Sequence, residues 1–165
     1  MKQKEIVLGH LKALGFDPVE LGGLGYTFNY EEINYLYMPD DDDENFLRIA
    51  IPHIFEVNDE NRVVVFDAMH DSSLLVKYAK VCIMYEGAVW AIYEHRLTSS
   101  DNLQELLEHI IRVLEATAHI FYKKVNGEDI IDYREEEGLD QTFDDELEEE
   151  LQKLLDNIET EDDFN

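Results

Sequence analysis

The sequence predicts an α+β domain: a five-stranded antiparallel sheet with packed helices, in the order α-β-β-β-α-β-β-α. An acidic C-terminal tail containing one amphipathic helix follows it. Three observations carry this reading. Apolar residues recur at helical spacing near residues 2–14 and 101–124. They alternate at period two over 24–38 and 74–97. Composition then changes sharply at residue 128. The domain is therefore expected over 1–127 and the tail over 128–165, with a tail helix at 144–158.

The opening helix, 2–14, rests on Val7, Leu8, Leu11 and Leu14, and Gly15 stands where a left-handed cap would end it. Two alternating runs follow. Leu24, Tyr26, Phe28 and Tyr30 share one strand face. In the next strand Ile33, Tyr35 and Tyr37 share a face, with Leu36 and Met38 opposite. Glu31-Glu32 between them fits a short hairpin, although the pair is a weak turn signal. The run Asp40–Glu44 reads as a loop, and a third strand, 46–51, ends at Pro52. Residues 59–71 contain Val63-Val64-Val65-Phe66, which would suit a strand. Helical spacing of Val65, Phe66 and Met69, with Asn58 or Asp59 as cap, favours a helix. Strands are expected over 74–85 and 88–97, joined at Glu86-Gly87, where a glycine supplies the backbone a tight hairpin needs. In the second of these, Trp90 and Ile92 face one side, and Val89, Ala91, Tyr93 and Leu97 the other. The last helix, 101–124, carries Leu103, Leu106, Leu107, Ile110, Ile111, Leu114, Ala118 and Phe121 as one stripe. Asp101 and Gln104 are expected to form its capping box.

The 165 residues carry 39 acidic and 13 basic side chains, a net charge of −26. Residues 128–165 hold 18 of the acids and only 2 of the bases, and mutual repulsion favours an extended tail there. Within it, Leu147, Leu151, Leu154, Leu155 and Ile158 fall at i, i+4, i+7, i+8 and i+11, which is one helical face. Such a charge repels phosphate backbones and anionic bilayers, so neither nucleic acid nor membrane is expected as a partner. Basic-surfaced proteins would be attracted. The N-terminus lacks a signal-type apolar stretch, no run of 18 apolar residues occurs, and the single cysteine, Cys82, lies in an apolar run as a buried thiol would. These point to the cytoplasm.

Candidate chemistry is sparse. The six histidines, at 10, 53, 70, 95, 109 and 119, form no metal-ligating motif. Asp40–Glu44 would interest a hard cation but lacks the alternating ligands and central glycine of a calcium loop. Glu94 and Arg96 share a strand face and read as an exposed ion pair, with His95 pointing away. Cys82 alternates with Lys80 and Met84. No GxSxG occurs, and GGLG at 22–25 lacks the spacing of a phosphate-binding loop. No catalytic, metal or cofactor site is therefore assigned, and no cofactor is expected.

Several segments carry a family likeness: LKALGF, GYTFNYEEINYLYM, FLRIAIPHIFEVN, VKYAKVCI, GAVWAIYEHRL and ATAHIFYKKV. Over residues 1–125 the chain resembles the YbjN family, described as candidate bacterial sensory transduction regulators, with a type III secretion chaperone-like fold. The likeness rests on apolar and aromatic patterning. It departs after VVVF, where His70 and Asp71 stand in place of an asparagine-containing turn. The resemblance implies a non-enzymatic, protein-binding or chaperone-like role, commonly with dimerisation, and brings no catalytic residues.

The expected function is a protein-binding or regulatory module, a homodimer presenting sheet and helix surfaces to a protein client. Tyr26, Phe28, Tyr35, Tyr37 and Trp90 are candidates for such a surface, or else lie in the core beneath the helices. Leu147, Leu151, Leu154, Leu155 and Ile158 would dock on the domain itself or on a basic partner. A small-molecule-binding or enzymatic domain with a dispersed site is the alternative, and would require a polar pocket where His, Glu and Tyr side chains converge.

Overall fold

A computed structural model describes residues 2–128. The expected tail helix at 144–158, with its five apolar residues, lies outside them. The elements run α1 (Gln3–Ala13), β1 (Val19–Leu21), β2 (Gly25–Tyr30), β3 (Ile33–Tyr37), β4 (Phe46–Glu56), α2 (Arg62–Leu75), β5 (Ala79–Ile83), β6 (Ala88–Arg96) and α3 (Leu103–Val125). The strands form one antiparallel sheet in the order β1-β2-β3-β4-β6-β5. The α+β class holds, with six strands in place of five.

The added strand is β1. Its three residues, Val19-Glu20-Leu21, alternate in type but are few and all exposed, so no buried face marks it. It exists because the turn after Leu21 folds it back onto β2, with Leu21 opposite Gly25 and Val19 opposite Thr27. Other boundaries move. β4 runs past Pro52 to Glu56, because the ladder slips between Ile51 and Phe55 and that irregularity accommodates a residue without an N–H. α2 continues to Leu75, so β5 starts at Ala79 and not at 74. Ser72 Oγ donates to the Ala68 carbonyl inside the helix, and a positive φ at Tyr78 turns the chain into the strand.

Local signals explain the ends of α1 and α3. Phe16 N–H reaches the Leu11 carbonyl and Gly15 N–H reaches Lys12, with Gly15 at φ 94°. This paired bonding needs a left-handed residue and is the expected glycine cap. For α3 the cap is Asn102, whose side chain accepts from Glu105 N–H. The expected capping residue, Asp101, instead turns back to accept from Thr98 N–H at 2.6 Å and Thr98 Oγ1 at 3.0 Å. Asn58 likewise caps a turn before α2 by accepting from Glu60 and Asn61, while Asn61 stands at the helix start.

The β2–β3 hairpin turns at Glu31-Glu32, with φ of 47° and 67°. Left-handed backbone costs a residue with a Cβ roughly 1–2 kcal/mol, and two carboxylates repel across this turn. Replacing the pair with Asn-Gly is expected to stabilise the domain by ~1 kcal/mol. A thermal melt reads this as a rise of about 4 °C.

The three described helices serve one sheet face. The main core joins Val7 and Leu11 of α1, Val65 and Ala68 of α2, and the α3 stripe to Phe28, Tyr35, Tyr37, Leu47, Ile49, Val89, Ala91 and Tyr93. Thr117 takes one buried α3 position by donating to the Val113 carbonyl. A second buried cluster lies on the other face: Leu36, Met38, Ala50, Ala88, Trp90 and Ile92, flanked by Cys82 and Met84. Among the described residues, no helix residue belongs to it.

Candidate functional site

The long antiparallel pair β4–β6 places Arg48 directly opposite Glu94, and β5 brings Lys80 alongside. Arg48 Nε lies 2.9 Å from Glu94 Oε1 and Lys80 Nζ 2.7 Å from Oε2. The expected Glu94–Arg96 pairing is replaced by this cross-strand arrangement, because residues opposed on neighbouring strands approach more closely than i, i+2 neighbours along one strand. Burial pushes the Glu94 pKa up, but hydrogen bonds and charge from Lys80 and Arg48 outweigh it and hold the carboxyl below its ordinary value. A lowered folded-state pKa stabilises at pH above the ordinary carboxylate value of 4.5, and that stability is lost as pH falls through the lowered value. Glu94→Gln is therefore expected to lose up to ~1 kcal/mol at neutral pH. The gap between variant and parent should close on acidification below the ordinary carboxylate value, as read by urea unfolding at stepped pH. A constant gap would show that the ion pairs contribute nothing.

His95 Nε2 lies 3.2 Å from Asp101 Oδ2, and the same oxygen accepts from Thr98. Bonds from the Thr98 backbone and from His95 lower the Asp101 pKa. This group ties the β6–α3 turn together. A hydroxyl, an imidazole and a carboxylate are present, but the carboxylate oxygen contacts both partners and leaves no nucleophile poised beyond the imidazole.

The acidic loop uses its carboxylates locally. Asp40 Oδ1 accepts from Asp42 and Asp43 N–H, and Asp43 Oδ1 from Asn45 N–H. Among the described residues no three His, Cys, Asp or Glu side chains are grouped to hold a metal ion. Among the described residues, one surface concavity lies between the start of α1 and the acidic loop and another beside Phe16 and Asn34. Neither contains a histidine.

The aromatic residues expected at a surface lie mostly inside. Phe28, Tyr35 and Tyr37 are buried in the main core, and Tyr26 is partly buried against it. Phe28 stacks on Tyr35 with ring centroids 5.4 Å apart, and Tyr26 on Tyr37 at 6.4 Å. Of the two readings open in the sequence, these positions take the core one. Burial pushes the Tyr37 pKa up to about 12 and Tyr35 further, so neither hydroxyl serves as an acid or base near neutral pH. Trp90 is 7% exposed in the second cluster. Cys82, directly opposite Trp90, is half-buried where the sequence suggested a buried thiol.

The exposed apolar surface lies elsewhere. α2 buries Val65, Ala68 and Ser72, yet Val63 is 72% exposed, Phe66 48% and Leu74 70%. Val63, Phe66, His70 and Leu74 fall at i, i+3, i+7 and i+11, a second stripe on the outer side of the same helix. The spacing Val65, Phe66, Met69 conceals it by assigning Phe66 to the core side. Counting apolar residues on both sides of the helix would have revealed it. The edge strand β1 adds Val19 and Leu21, both exposed.

No protein-family model and no curated protein matches the chain. Solved structures do. YbjN from E. coli, described as a proposed transcription regulator, aligns with a TM-score of 0.54 at 8% identity, over 71% of this chain and 87% of that one. An uncharacterized protein from Methanothermobacter thermautotrophicus aligns at 0.51 and 10% identity, over 77% of this chain and 99% of that one. The Yersinia pestis type III secretion chaperone SycH, solved in complex with a stable fragment of YscM2, aligns at 0.47 and 10%, over 72% and 98%. At such identities the likeness to the first two is one of fold.

Proposed function

We propose that the chain is a non-enzymatic protein-binding module, chaperone-like or regulatory, that self-associates through the outer face of α2. The observation that supports this reading is the second apolar stripe, Val63, Phe66 and Leu74, on a helix whose core face is already filled. A helix stripe packing on its own copy gives a two-fold, self-complementary contact. The fold shared with a proposed regulator fits a role in binding. The sheet edge at Val19 and Leu21 offers client segments a second surface by strand addition.

The test is sedimentation equilibrium of the parent and of a Phe66→Asp/Leu74→Asp variant. The parent is expected to dimerise, and more tightly as salt rises, because two chains of charge −26 repel at low ionic strength. The variant should be monomeric with an unchanged far-ultraviolet spectrum. Equal association in both would remove α2 as the contact.

A further inference from the structure

We propose that two copies of the chain, packed through α2, hold a divalent cation of the zinc class between them, with Asp67 and His70 of each copy as its ligands. The inference rests on the α2 self-association above and adds a ligand to it. Asp67 and His70 stand at i and i+3 on one exposed helix face. At about 100° per residue, Val63, Asp67, His70 and Leu74 lie within about 60° of one another. That side is opposite the buried Val65, Ala68 and Ser72. Among the described residues neither Asp67 nor His70 has a hydrogen-bond or ion-pair partner. The next carboxylate along the helix, Asp71, is already engaged, 3.4 Å from Lys124 Nζ.

Symmetry brings the ligands together. Asp67 and His70 form the middle of the stripe, with Val63 and Phe66 before them and Leu74 after. In an antiparallel two-fold contact, residues equidistant from the axis on either side face each other. Val63 with Leu74, and Asp67 with His70, are centred on the same point of the helix. The register that sets Val63 against Leu74 of the second copy therefore also sets Asp67 against His70 of the second copy, twice about the axis. Two imidazoles and two carboxylates then meet between helices whose axes are about 8–10 Å apart. One chain offers two ligands here, and no group of three exists among the described residues, so the site is incomplete without the second copy. Imidazole nitrogen and carboxylate oxygen bind zinc at about 2.0–2.2 Å, and four such ligands complete its tetrahedral shell. Charge favours the same arrangement. Each copy carries −26, and a dication on the axis offsets part of the repulsion as the two approach.

Sedimentation equilibrium of the full chain in chelator and in zinc chloride tests this, with cobalt(II) as a spectroscopic probe. Zinc at ~20 μM should tighten the parent dimer about tenfold or more relative to chelator. His70→Ala and Asp67→Ala should dimerise as the chelated parent does, because the apolar contact remains, and should lose the response to zinc. Cobalt(II) should give the visible bands of a four-coordinate site in the parent, saturating at one ion per two chains, and no such bands in His70→Ala. A parent dimer equally tight in chelator and in zinc would overturn the proposal and leave the α2 contact standing. Equal tightening of parent and His70→Ala would also overturn it, assigning the metal to carboxylates elsewhere. So would saturation at one or more ions per chain. In chelator, association of Phe66→Asp/Leu74→Asp equal to the parent's would instead remove the α2 contact itself, and this proposal with it.

Discussion

Phe121→Ala is expected to destabilise the domain by about 3–5 kcal/mol, the range for removing a buried ring. Phe121 is fully buried near the end of α3 and meets Phe55 edge-on at 5.9 Å. Its neighbour Tyr122 donates its hydroxyl to the Ile54 carbonyl, fixing the helix end against the irregular part of β4. That anchoring limits collapse into the vacated space, which places the cost toward the upper end of the range. Domains of this size are stable by only about 5–15 kcal/mol. Urea unfolding followed by circular dichroism should therefore show a much lower midpoint with an unchanged slope. A loss below ~1 kcal/mol would mean that α3 does not close the core where β4 bends.

The second large effect is a contrast between adjacent residues of α2. Val65 is fully buried and Phe66 is 48% exposed. Val65→Asp puts a carboxylate into the main apolar core. It should cost more than ~3 kcal/mol or force the group to stay protonated. Phe66→Asp places the same charge in water and, at concentrations where the parent is monomeric, should change stability by no more than ~0.5–1 kcal/mol. Paired melts read both. If both variants unfold alike, the outer side of α2 is core and not surface.

Much of this fold was legible in the sequence, and each failure has its own physical reason. α1, α3 and the β5–β6 hairpin announce themselves because one face of each is apolar and the ends carry strong turn chemistry. Trp90 and Ile92 on one side of β6, against Val89, Ala91 and Tyr93 on the other, follow from period two alone. β1 is hard to see in the sequence because three exposed residues leave no burial pattern. Pro52 marks a strand end only in a regular ladder, and the β4 ladder is irregular there. The candidate surface was less legible. Alternation places Phe28, Tyr35 and Tyr37 on shared faces but does not say which face the helices cover. The α2 stripe was hidden by a helix that is apolar on two sides, where a single stripe is the usual pattern. The Glu94 pairing depends on strand register, which spacing along one strand does not encode.

Crosslinking from position 66 tests the central claim, that this is a module whose outer α2 face binds protein, most directly. A photoreactive residue replacing Phe66 in the purified full chain should give a covalent dimer on irradiation. The same residue at the exposed Arg112 of α3 should give none above background. Equal yields from the two positions, or no intermolecular product from position 66, would contradict the account.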